Sequence, residues 1–114
     1  MEQEKQDFIS SFRHTSRAVH EIAVDKGWWE VDRNDGEMIA LMHSELSEAL
    51  EGLRRGNKES EHIKGFTAVE EELADVVIRI MDYAVSREQD IALAIVKKIE
   101  FNSGREYKHG GKKF

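Results

Sequence analysis

Two pairs of acidic residues stand three positions apart in this chain, Glu45 with Glu48 and Glu72 with Asp75. On a helix, that spacing makes the two members of a pair neighbours on one face. Glu45 falls between Leu41 and Ala49, at the margin of an apolar stripe, and Glu48 falls next to Leu41, whereas Glu51 points well outside. Glu72 and Asp75 both fall in the gap between two apolar patches of their own helix. Each pair therefore lies at the edge of a surface suited to burial. Four carboxylates near a low-dielectric interior repel one another unless they are protonated, salt-bridged or gathered around cations. Ligation by oxygen alone, with no His or Cys, suits hard ions, Mg2+ first and Mn2+ as a substitute. The competing use is ordinary helix surface: the chain has 23 acids, and Arg79, four residues after Asp75, could simply pair with it.

Other side chains could serve a ligand of such a centre. Lys98 and Asn102 are four apart, and Arg105 lies three further on, so a cation, an amide and a guanidinium fork follow one line. Solvated surface charge is the alternative for both basic residues. Trp28 and Trp29 follow Gly27. Two adjacent tryptophans in a loop cannot both face one core, so one packs while the other is free to stack on a planar ring. His14 and His20 are expected to face solvent, and His43 to point away from Glu45. Tyr83 and Phe101 are expected in a core or an interface.

The elements that must carry these residues are helices. Phe8, Ile9, Phe12, Val19, Ile22 and Ala23 recur at helical spacing, which predicts a helix from about 5 to 26 with Gly27 as its stop. Asp32-Arg-Asn-Asp-Gly36 is loop chemistry. Met38, Leu41, Met42, Leu46, Ala49, Leu50 and Leu53 predict a second helix from about 36 to 55. Residues 56–66 are polar, without period, and are expected to be mobile. Thr67-Ala-Val-Glu70 has the form of a capping box opening a third helix that runs to about Arg87. A fourth is expected over about 90–107. No alternating strand pattern and no internal repeat occurs. The fold class is therefore all-α, a four-helix, bundle-like single domain spanning residues 1–114 with a basic tail from about 103.

The third helix carries two apolar patches rather than one stripe. Val69, Leu73, Val76, Val77, Ile80 and Ala84 form a wide face, and Ala74, Ile78, Met81 and Val85 form a second beside it. One bundle core uses the first, and a partner subunit is the natural use of the second. A homo-oligomer is expected, a dimer or a dimer of dimers; one enlarged core taking both patches is the alternative.

Composition narrows the classes. The 114 residues contain no cysteine, which excludes a disulfide scaffold, a thiolate zinc site and a cysteine nucleophile. No proline interrupts a helix. The longest apolar run, Ile91 to Val96, is six residues, far short of a membrane span. Glu2, Glu4, Lys5 and Asp7 are unlike a secretion signal, so a cytoplasmic location is expected. Net charge is −6; residues from Lys97 onward carry +4, which leaves −10 for the rest and disfavours nonspecific binding to nucleic acid.

Glu45-Leu-Ser-Glu48, a gap of 23 residues, then Glu72-Leu-Ala-Asp75 resembles the Glu-x-x-Glu … Glu-x-x-Asp signature of the MazG-like superfamily of all-α nucleoside triphosphate pyrophosphohydrolases. The segment from Lys98 through Asn102, Arg105 and His109 to Lys112 resembles the tail of its short bacterial and phage members. The likeness covers residues 26 to 114. It departs at Ser44, where many relatives have a further Glu before the first metal-binding one. The resemblance implies Mg2+-dependent hydrolysis of a nucleoside triphosphate, expected to be a dNTP, to the monophosphate and pyrophosphate, in nucleotide-pool house-cleaning. It implies Glu45, Glu48, Glu72 and Asp75 as metal ligands, Glu48 doubling as general base, Lys98 and Asn102 on the phosphates with Arg105 a further contact, and Trp29 or Trp28 at the base.

Two other classes use similar residues. A di-iron bundle needs Glu-x-x-His on two helices. Glu59-x-x-His62 and Glu106-x-x-His109 have that form, but the first lies in the aperiodic segment and the second runs into Gly110-Gly111. A non-enzymatic helical interaction module would use the second patch of the third helix for a partner and the acids for solvation.

Overall fold

The computed structural model describes residues 2–104. Arg105, the rest of the basic tail and the expected extension of the fourth helix to Tyr107 lie outside the described residues. Among the described residues the fold has four helices: α1 (Glu2–Asp25), α2 (Asp35–Arg54), α3 (Ala68–Ser86) and α4 (Ile91–Ser103). The all-α, bundle-like expectation holds, and Gly27 and the Thr67–Glu70 box stand at the helix boundaries where they were expected. Gly27 ends α1 at φ +87°, a left-handed conformation that a side chain would resist. Asn34 caps α2, its side chain accepting from the Glu37 amide at 2.7 Å. Thr67 and Glu70 close the reciprocal capping box of α3. Among the described residues, no helix is long and apolar enough to cross a membrane.

α3 is the central helix. α2 runs antiparallel along it: Gly52 sits against Ala68 and Val69, Glu45 bonds Arg79, and Asp35 bonds Arg87. α1 lies along only the second half of α3, with His20 bonded to Asp82. α4 packs on α1, not beside α3. Its ends are tied by Asp90 to Arg13 and by Glu100 to Lys5, and Ala92 and Val96 bury against Ile9 and Phe12.

Within one chain, the covering of α3 does not separate the two apolar patches. Met81 and Ala84 are buried, and Ile80 and Val85 are half-buried, whichever patch they belong to. Leu73, Val77 and Ile78 are each more than two-fifths exposed. Burial is greatest toward the C-terminal end of α3, around Met81, Asp82 and Ala84, where α1 packs on it, and the cleft opens between the two helices at Asp75 and Ile78. The segment expected to be mobile is tied down as well. Glu59 and Thr67 form a single antiparallel bridge, and buried Ser60 donates to Glu71 while accepting from the amides of His62 and Ile63.

Candidate metal centre and adjoining cleft

Side-chain spacing on α3 builds the polar side of the site. Glu72, Asp75, Arg79 and Asp82 follow one another at intervals of three, four and three, so they form one continuous stripe. Glu45 approaches this stripe from the antiparallel α2. Oxygens of Glu45, Glu72 and Asp75 all lie within 4.8 Å of one another, close enough to share one cation. Glu48 is exposed on the next turn of α2 and stands outside that set, although its charge is felt by Glu72. Arg79 does not pair simply with its helix neighbour Asp75. It reaches across to α2 and donates from Nε and Nη2 to Glu45 Oε1 at 3.1 and 3.0 Å.

The electrostatics follow from crowding and partial burial. The carboxyl of Glu72 is pushed up to about 7, first by burial, then by its hydrogen bond to Glu45 and the charges of Glu45, Glu48 and Asp75. Asp75 is also raised, by burial and by Glu45 and Glu71, against the opposing influence of Arg79 and His62. Without a cation, then, Arg79 neutralises Glu45 and eases the charge of Asp75, and below about 7 Glu72 carries a proton that its hydrogen bond to Glu45 uses. Carboxylate donors, partial burial and mutual repulsion suit a hard divalent ion, which would replace that proton and relieve the remaining charge.

Beside the acids lies an open cleft of about 450 Å³, lined on its polar side by Glu45, Asp75, Arg79 and Asp82 and on the other by Val19, Ile22, Ala23, Ile78, Trp28 and Arg33. Trp28 is 60% exposed along this wall. Trp29 is half-buried, and its indole Nε1 donates to Asp82 Oδ1 at 2.9 Å. His20, expected to face solvent, is instead half-buried, with Nδ1 2.7 Å from the same oxygen and its ring edge-on to Trp29 at 5.4 Å between centroids. The reason is that α1 crosses α3 at this point, so His20 meets a buried acid. Asp82, the acid that organises this corner, was not among the expected site residues. Its signal was present: it continues the Glu72, Asp75, Arg79 stripe by three residues.

The remaining residues lie elsewhere. Lys98 and Asn102 are exposed on the last turns of α4, and Lys98 Nζ lies 4.5 Å from the centre of the Phe101 ring. Because Glu100 binds Lys5 while the cleft begins at Val19, these two residues are separated from the acids by about 20 Å along α1. One chain does not bring them together with Glu45, Glu72 and Asp75. His62 bonds Glu71, with Nδ1 2.7 Å from Oε2, rather than Glu59. His14 and His43 are exposed, Tyr83 is half-buried, and Phe101 is 60% exposed on α4. In comparisons with known proteins, no family model, no curated protein and no solved structure matches the chain.

Proposed function

We infer that the chain is a MazG-like nucleoside triphosphate pyrophosphohydrolase, using Mg2+, or Mn2+ in its place, to hydrolyse a (deoxy)nucleoside triphosphate to the monophosphate and pyrophosphate. The observation that carries this reading is the convergence of Glu45, Glu72 and Asp75 from two helices at the edge of a cleft with one apolar wall. A triphosphate has the matching polarity, a polyanion at one end and a flat ring at the other. Glu45, Glu72 and Asp75 would hold the metal. A bound Mg2+ supplies neutralisation of phosphate charge and a water of lowered pKa. Arg79, on the polar wall, offers a planar fork to phosphate oxygens. Glu48, one turn beyond the cluster, is assigned the general base. Trp28 offers the base a stacking surface, and Trp29, held by Asp82, backs that wall.

In this reading Lys98 and Asn102 reach phosphates only if a second copy brings its α4 to the cleft, so the site and a homo-oligomer go together. A dimer or dimer of dimers also suits the exposure of Leu46, Leu50 and Leu53 on α2. Those exposed residues equally favour a second reading, a non-enzymatic helical interaction module in which Arg79 neutralises the acids. Turnover separates the two. Purified protein incubated with a panel of NTPs and dNTPs should release pyrophosphate with Mg2+ and not without it. Asp75→Asn should reduce that rate by at least about a hundredfold while leaving the helical signal unchanged. Absence of pyrophosphate from every nucleotide would leave the interaction module as the better reading.

A further inference from the structure

We propose that Arg87, the residue that closes α3, is a positioning residue that latches the loop between α1 and α2 and so sets the cleft wall formed by Trp28 and Arg33. The inference rests on the nucleotide reading of the cleft and adds to it a residue that neither joins the acid cluster nor lines the cleft.

One planar guanidinium makes the connections. Arg87 Nε donates to Asp35 Oδ1 at 2.6 Å, tying it to the first turn of α2. Nη2 donates to the backbone carbonyl of Arg33, inside the loop. The guanidinium carbon lies 5.9 Å from the centre of the Trp29 ring and 5.7 Å from that of Tyr83. Arg33 in turn lies 5.7 Å from the same Trp29 ring. Trp29 is therefore held by Asp82 at its N–H and accompanied by two cations at its ring, and of these neighbours Asp82 and Arg33, with Trp28 next in sequence, line the cleft.

The Trp29 bond to Asp82 anchors the first half of this loop, and Arg87 is what ties its second half, at Arg33 and Asp35. Trp28 is 60% exposed and Val31 is 75% exposed, so apolar burial contributes little to its position. Asp35 is itself exposed, and the ion pair alone would be weak. The fork to a backbone carbonyl and a carboxylate at once is what gives Arg87 its hold, and a lysine cannot reproduce it.

Both tryptophans of the chain lie on this loop, so intrinsic fluorescence reports its position without any nucleotide. The full chain should be compared with Arg87→Lys and Arg87→Ala by emission maximum, acrylamide quenching and KM and kcat on the best nucleotide of the panel. Both variants should show red-shifted emission and increased quenching. KM should rise about tenfold with kcat changed less than about threefold, the pattern of lost positioning rather than lost chemistry. Circular dichroism checks the fold, and Arg87→Lys decides the matter if Arg87→Ala does not fold. Unchanged emission and quenching overturn the latch. A loosened loop with unchanged KM, or a fall in kcat alone, overturns its link to the cleft. If the wild-type protein turns over no nucleotide, the reading of function fails, while fluorescence still decides whether Arg87 holds the loop.

Discussion

Without metal, Glu72 keeps a proton at a pH where an exposed glutamate is ionised, because burial and three neighbouring carboxylates all penalise its charge. Its ordinary value is 4.5 and its value in the fold is about 7. Between those two values the folded chain binds more protons than the unfolded chain, so the stability it confers is present below about 4.5 and is lost as pH rises through about 7. Urea unfolding in the absence of divalent ions should show this decline. Saturating Mg2+ should remove it, since the ion takes the proton's place. Titration calorimetry in two buffers of different ionisation enthalpy should then detect proton release on Mg2+ binding near neutrality, and none for Glu72→Gln. A metal-free stability that rises from pH 5 to pH 8 would contradict this electrostatic account. The same crowding explains why Arg79 bonds Glu45 rather than Asp75 alone: across the helix pair, one cation serves two acids.

At the scale of elements, most of what positions the site was written locally. The Thr67 and Glu70 capping box is a contact between residues three apart, and it was legible before any tertiary structure. Thr67→Ala should cost about 1 kcal/mol, read as a lower denaturant midpoint at unchanged slope. Gly27 and the acid pairs were legible for the same reason, each depending on spacing within one helix. The corner around Asp82 was not. Its partners His20 and Trp29 are 62 and 53 residues away, and nothing local marks a histidine as buried. Residues 56–66 misled in the opposite sense. They lack periodicity, yet Ser60 satisfies two backbone amides and a carboxylate, so a polar segment is ordered by hydrogen bonds rather than by apolar burial. The two patches of α3 were real, but how far α1 extends along the helix decided which part of each is covered, and that length of overlap is a tertiary property.

For the molecule as a whole, the interior of a single chain is small. Among the described residues, the buried apolar ones are Ile9, Met38, Ala49, Met81, Ala84, Ala92 and Val96, three of them alanine. Leu46, Leu50 and Leu53 on α2 and Ile99 and Phe101 on α4 remain about half exposed or more. Burying such surface against another copy would stabilise the assembly at about 25 cal/mol per Å² of apolar area. Sedimentation velocity should therefore give a species larger than a monomer, and Leu50→Glu should reduce its mass. A wild-type monomer at micromolar concentration would remove the second copy from the reading, and with it any part for Lys98 and Asn102 at the cleft.

The most direct measurement is the anomalous difference density of crystals soaked in MnCl2. The account predicts a peak bounded by carboxylate oxygens of Glu45, Glu72 and Asp75, with Arg79 displaced from or shared with Glu45, and no such peak in Asp75→Asn. Manganese bound only elsewhere, or no peak among those three acids at saturating Mn2+, would contradict it.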